Sequence, residues 1–304
     1  MIVDGKVSIP RVTLHMSRPL TLILGVSLAV VFLHRYTGDR WISISPIPLT
    51  IVGAALSFFI TFRNNTVYDR WWEARTLWGA LVNHSRTFAR QAFLYIVPAS
   101  PEDEAAVAAY RREMVLRHVG FVHALRSHLR GDEPCVALEP FVPAAELEHH
   151  RSARNVPSSV LHRQGLRLHD AWQRGWVREF HLPEIDRTLT EFTNILGACE
   201  RIKNTPVPPV YTYLAHRIVI AYCCVLPFGI VKDVGWPTPL IVLFISFAFL
   251  ILDRISLLIE TPFATRVNDL PLTALSRNIE IDLLQRLGEE NLPPPVTPRE
   301  GVLL

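Results

Sequence analysis

The stretch Pro48-Leu-Thr-Ile-Val-Gly-Ala-Ala-Leu-Ser-Phe-Phe-Ile-Thr-Phe62-Arg-Asn-Asn-Thr-Val-Tyr-Asp-Arg-Trp-Trp-Glu-Ala-Arg75 joins two kinds of chain without a break. Trp41 to Phe62 carries no charged residue and is long enough to cross the hydrocarbon core of a bilayer as a helix. From Arg63 onward the pattern is polar and amphipathic to about Tyr95, with no helix breaker after Pro48. The spacing predicts one rod that spans a membrane and continues as the wall of a water-exposed body. That build belongs to a channel or a large membrane-anchored assembly, not to an ordinary soluble enzyme.

Composition fits a chain that is part membrane, part soluble. Of 304 residues, 49% are hydrophobic and only 19% charged, with a mean hydropathy of +0.22 and a net charge of +3. The basic charge is almost all arginine, lysine occurring only at Lys6, Lys203 and Lys232. With no basic run interleaved with aromatics, a nucleic-acid partner is not expected, and the arginines are assigned to ion pairs and headgroups. Cys135, Cys199, Cys223 and Cys224 have neither C-x-x-C spacing nor the density of a disulfide scaffold. Cys223 and Cys224, in an apolar run, fit small core residues, and the set as a whole fits a reducing, cytosolic face for the soluble part.

Working outward, Pro19 to Leu33 is a second uncharged stretch, and Ile218 to Val231 with Val234 to Leu252 form a further pair around Lys232 and Asp233. Arg11 and Arg18 ahead of the first stretch imitate a signal peptide, but no small-x-small cleavage site follows, so a retained helix is expected. The third stretch needs residues from Val210 to reach full length, which places Arg217 at the membrane surface, able to snorkel. Four spans are expected, at about 19–36, 41–62, 211–231 and 236–258. Arginines crowd one set of flanks (Arg11, Arg18, Arg63, Arg70, Arg75, Arg201, Arg217), while the loops at Gly38 and Lys232 carry few charges. The positive-inside rule then puts the termini and the region 63–210 in the cytosol of a multi-pass inner-membrane protein, with a C-terminal cytosolic segment over 260–304.

The central region is predicted to be helical. Glu102 to Leu129 has apolar residues three and four apart behind a Ser100-Pro101-Glu102 start, and Ser158 to Phe180 and Pro183 to Lys203 form two more helices. Gly131 to Pro157 is expected to be a surface loop with one small helix, and the proline-rich tail from Glu289 an arm on the surface or in solvent.

On the second span, Ala54, Phe58 and Phe62 stack along one side, because residues four apart share a face. Spacing alone favours lipid-facing or helix-packing residues. Gly53 and Ser57 make a small-x-x-x-small pair on a neighbouring face that lets helices approach closely. Ile185, Leu189, Phe192 and Leu196 form a stripe that is also what a core stripe looks like.

Phe62 to Arg75, Leu77-Trp-Gly79, Cys199-Glu-Arg-Ile-Lys-Asn-Thr-Pro-Val-Pro208, Leu214-Ala-His-Arg217, Leu226-Pro-Phe-Gly229 and Glu260-Thr-Pro-Phe263 together resemble the bestrophin family of membrane channels, in its bacterial branch. The segments run in family order from the first span to about Phe263. The resemblance implies an all-α, four-span homopentamer around a central pore, with long helices continuing into a cytosolic helical domain. It implies a hydrophobic neck at Ala54, Phe58 and Phe62, where Ala54 replaces the bulky aliphatic of the outermost ring, and a cytosolic aperture at Leu189. Such a neck gates by dewetting and opens when its helices rotate or spread. The expected partners are four further copies, the lipid bilayer and the permeating ions.

The resemblance also marks a departure. Animal members carry a run of acids after the fourth span that clasps calcium, whereas Ala264 to Leu272 holds only Asp269, so calcium gating of that type is not expected. Ion preference stays open: acids on the cytosolic helix (Glu184, Asp186, Glu191, Glu200) favour monovalent cations, and a chloride channel of the same architecture is the alternative. An enzyme is not expected, and no cofactor or metal is implied. His118, His123 and His128 do not share one helical face, His149-His150 offers at most an adventitious metal contact, and no H-E-x-x-H, G-x-S-x-G or phosphate loop occurs. A secondary transporter fits poorly because no two inverted halves are visible.

Overall fold

The computed structural model describes residues 16–37, 42–298 and 301–303; Lys6, Arg11, Gly38 and Trp41 lie outside them. The described chain runs through ten α-helices: α1 (Ser17–Thr37), α2 (Pro46–Tyr95), α3 (Glu104–Arg130), α4 (Pro134–Leu138), α5 (Ala144–Arg151), α6 (Val156–Gln173), α7 (Leu182–Asn204), α8 (Pro209–Val234), α9 (Thr238–Ile259) and α10 (Leu272–Arg286). Helices α1, α2, α8 and α9 are each long and apolar enough to cross a membrane. The described chain divides into two compact units, a membrane unit (16–37, 42–71 and Pro206–Glu260) and a soluble unit (Trp72–Thr205, 261–298 and 301–303).

Helix α2 is 50 residues long, and its uncharged and polar halves are one unbroken helix. Pro46 and Pro48 sit in its first turn, where a missing N–H costs nothing. In the membrane unit, Ile23 of α1, Leu56 and Ile60 of α2, Val219, Cys223 and Leu226 of α8, and Val242 and Leu250 of α9 form one buried cluster. Gly53 admits α8 closely: a Cβ there would lie 2.3 Å from the Tyr222 hydroxyl. The small residue predicted to allow close packing is thus filled by a side chain of the same subunit. Arg217 lies over the Tyr213 ring at 5.1 Å, with its side chain on the exposed side of α8.

The soluble unit is built around α3, against which α4, α6 and α10 pack. Its centre is aromatic: His118 lies 4.3 Å from Phe192 and 5.2 Å from Phe88, and Phe88 lies 5.9 Å from Phe192. Gly131, at φ 81°, ends α3 in a left-handed conformation that only glycine adopts without strain. Beyond it the expected surface loop is largely ordered and packed. Leu138 and His150 are fully buried, because α4 packs on α3 and α5 packs on α4 and α6. Asn155 starts α6 by accepting the Ser158 N–H at 3.1 Å. The predicted helix over 158–180 stops earlier, at Gln173, where Gly175 takes φ 74°. Residues 291–298 follow no helix, and Glu289 ahead of them pairs with Arg112 at 2.5 Å.

Burial and pairing decide the protonation states of this unit. His118 bonds Ser85 Oγ at 2.8 Å, and burial pushes its pKa down to about 3, so it stands neutral. Arg117 donates to both Glu146 oxygens, at 2.5 and 2.7 Å, and to Glu113 at 2.5 Å. Burial alone raises the Glu146 pKa, but hydrogen bonds from Arg117 and His150 outweigh it and hold the carboxyl at about 2. His150, weighed as an adventitious metal contact, is spent on Ser159 and Glu146, at 2.8 and 3.4 Å.

Candidate functional site: the exposed face of helix α2

Residues of α2 rotate by about 100° each, so Ala54, Phe58 and Phe62 fall within about 80° of one another. All three are exposed in the subunit, Phe58 at 66% and Phe62 at 71%. The opposite side of the same helix carries Leu56, Ile60 and Arg63, all buried. The helix is therefore anchored by one face and offers an aromatic stripe on the other. Placed around an axis by symmetry, such a stripe stacks into apolar rings.

Together with Leu56 and Ile60, a buried charge cluster that sequence reasoning missed holds this helix. Arg63 Nη2 donates to Asp253 Oδ1 and to the Asp253 carbonyl, both at 2.7 Å. Asp253 Oδ2 bonds His216 Nδ1 at 2.7 Å, and Asn64 donates to the Leu252 carbonyl at 2.9 Å. The side chains of Arg63 and Asp253 are only 5% and 2% exposed. An acid buried in a membrane helix normally has a named partner, and here one guanidinium ties α2 to α9 immediately after Phe62. The signal was available: Asp253 and Arg254 interrupt an apolar run that otherwise continues to Ile259. Beside this tie, Phe59, Phe62, Thr66, Pro208 and Tyr211 line a cavity of about 300 Å³, with the Phe59 and Tyr211 rings stacked at 6.5 Å.

The second predicted ring finds less support. Leu189 is 6% exposed, and Ile185 and Phe192 are fully buried, so this stripe of α7 is spent on packing within the subunit. Phe180, in the turn before α7, is 86% exposed instead. Its sequence signal was weak, a lone aromatic between polar neighbours. The charges singled out on α7 divide. Glu200 is bonded by His128 at 2.9 Å and Asn155 at 2.7 Å, Arg201 pairs with Glu73 at 2.5 Å, and Glu184 and Asp186 remain exposed. Asp269 accepts the Arg266 N–H at 2.6 Å, and burial pushes its carboxyl above the usual range. Among the described residues no group of three His, Cys, Asp or Glu is arranged to hold a metal.

Residues 7–285 match the family model described as bacterial and fungal bestrophin protein. The chain is 36% identical over 273 residues to a voltage-dependent anion channel-forming protein of Ralstonia nicotianae, covering 90% of this chain and 87% of that protein. It is 34% identical to the voltage-dependent anion channel-forming protein YneE of Escherichia coli K12, covering 90% and 86%. A crystal structure of a bacterial bestrophin homologue from Klebsiella pneumoniae superposes with a TM-score of 0.82 at 30% identity, over 91% of this chain and all of that one.

Proposed function

The chain belongs to the bestrophin family and is a membrane channel of that family, and on that premise we propose that five copies surround a pore whose neck is lined by Ala54, Phe58 and Phe62. The observation that carries this is the exposed aromatic stripe on a helix buried along its other side. The Arg63–Asp253 hydrogen bond holds α2 to α9 one residue beyond Phe62, which supports a set orientation for this stripe. The pore lies in the inner membrane with its soluble unit in the cytosol, as the arginine-rich flanks favour. It passes small monovalent ions through a constriction that dewets when closed, and it prefers cations. A cytosolic apolar ring is better supplied by Phe180 than by Leu189, since only Phe180 has its side chain free of the subunit's own packing. Anion preference is the second reading, favoured by the names of the Ralstonia and Escherichia relatives.

The test has two arms. Light scattering of detergent-purified protein should give about five times the 34.5 kDa chain. Phe58→Ala and Phe62→Ala should each raise single-channel conductance or open probability in planar bilayers, because alanine removes both the steric plug and the dewetting barrier. A stable monomer, or currents unchanged by both substitutions, overturns the proposal.

A further inference from the structure

Below Phe62 the same face of α2 continues, and its chemistry changes. Taking Phe58 as the reference direction, Ala54 lies about 40° to one side and Phe62 about 40° to the other. Asn65 falls at about 20° on the Ala54 side and Asp69 at about 20° on the Phe62 side, so both stand in the middle of the stripe. Asn65 is about 4.5 Å and Asp69 about 10.5 Å further along the helix than Phe62. Both are exposed in the subunit. Among the described residues no hydrogen bond or ion pair holds the Asp69 carboxylate.

The basic residues of this segment point elsewhere. Arg63 and Arg70 are rotated about 140° and 120° from the reference direction, and Arg63 is buried against Asp253. Between Pro46 and Trp71 the charged residues are Arg63, Asp69 and Arg70, so Asp69 alone puts a charge on the face that carries the neck.

We infer that Asp69 is the specificity-determining residue of the pore: five copies form a carboxylate ring two helical turns below Phe62 that favours monovalent cations over anions. This rests on the pore-facing reading of Phe58 and Phe62. An apolar neck has no sign of its own, so the first fixed charge beyond it decides which ion is concentrated at its mouth. Five carboxylates act together on every ion that passes, and the Asn65 amides between them and the neck offer polar oxygens to a partly dehydrated cation. At 0.1 M salt the ring is expected to change the cation-to-anion permeability ratio by about tenfold, and by less at 1 M, where screening shortens to about 3 Å.

The experiment measures reversal potentials of the purified protein in planar bilayers under a tenfold potassium chloride gradient, read through. The wild type should reverse on the cation side. Asp69→Asn should lower the permeability ratio about tenfold, Asp69→Lys should carry it to the anion side, and Asp69→Glu should keep it. Phe58→Ala is measured in parallel for conductance. If Phe58→Ala changes conductance while Asp69→Asn leaves the ratio unmoved, the pore reading stands and the Asp69 inference is overturned. If neither substitution has an effect, the pore reading itself has failed and takes the inference with it. A wild-type reversal on the anion side overturns the inference directly. So does an Asp69→Asn variant that only loses oligomer stability, because Asp69 is then a pairing residue between subunits. Asp69→Cys gives an independent readout: charged thiol reagents should alter current through a lined pore, and silence would overturn the assignment.

Discussion

Replacing Asp253 by Asn keeps the shape of the side chain and removes the charge on which Arg63 and His216 both converge. The Arg63 guanidinium is 5% exposed and bonded to Asp253 Oδ1 at 2.7 Å, so Asp253→Asn leaves a cation with no counter-charge in an apolar setting. Breaking a buried pair from one side costs about 3–5 kcal/mol, far more than the pair contributes relative to two apolar residues. For a body of this size each kcal/mol moves the melting temperature by about 2–4 °C, so a drop of roughly 6–20 °C is expected. The assay is tryptophan fluorescence of the detergent-solubilised oligomer on heating, run beside Arg63→Met and the double variant Arg63→Met/Asp253→Leu. The double variant should recover most of the loss, because both charges are gone. Conductance should change in Asp253→Asn as well, since Phe62 adjoins the released arginine. A melting temperature within about 2 °C of wild type would refute the reasoning, because it would mean that the pair is hydrated and worth under about 1 kcal/mol.

Leu189→Ala should cost about 2–3 kcal/mol of stability and leave ion permeability ratios unchanged, as a packed leucine beside a shallow cleft would. Phe180→Ala should do the reverse, altering flux with little loss of stability; changed ratios in Leu189→Ala would restore it as the aperture. His118 gives a pH signature in the soluble unit. Unfolded, it takes a proton at about 6.5; folded, burial holds it neutral down to about pH 3. Acid therefore favours the unfolded chain, and this residue's contribution, complete above about pH 7, falls by about 1.4 kcal/mol per unit between pH 6.5 and 3. Glu146, held at about 2 by Arg117, adds a loss that begins only below about pH 5. His118→Gln should flatten the upper part of that slope in thermal melts taken from pH 7 to 5, and an unchanged slope would show that His118 is not its source.

By itself the sequence determined what depends on local patterning. Charge-free runs of membrane length, the absence of a breaker after Pro48 and the four-residue spacing of Ala54, Phe58 and Phe62 are properties of consecutive residues, and the helix follows from them. The long motifs from Phe62 to Phe263 carried the family for the same reason. Only the tertiary structure decided which of two identical-looking stripes is free. The stripes through Phe58 and through Leu189 have the same period, but α3 and α6 cover the second, and the covering helices lie some 60 and 20 residues away in sequence. The same holds for Arg63 and Asp253, whose carboxylate–guanidinium contact spans a separation of 190 residues. Periodicity shows that a helix has two faces; which face meets protein and which meets water or ions depends on partners that are distant in the chain.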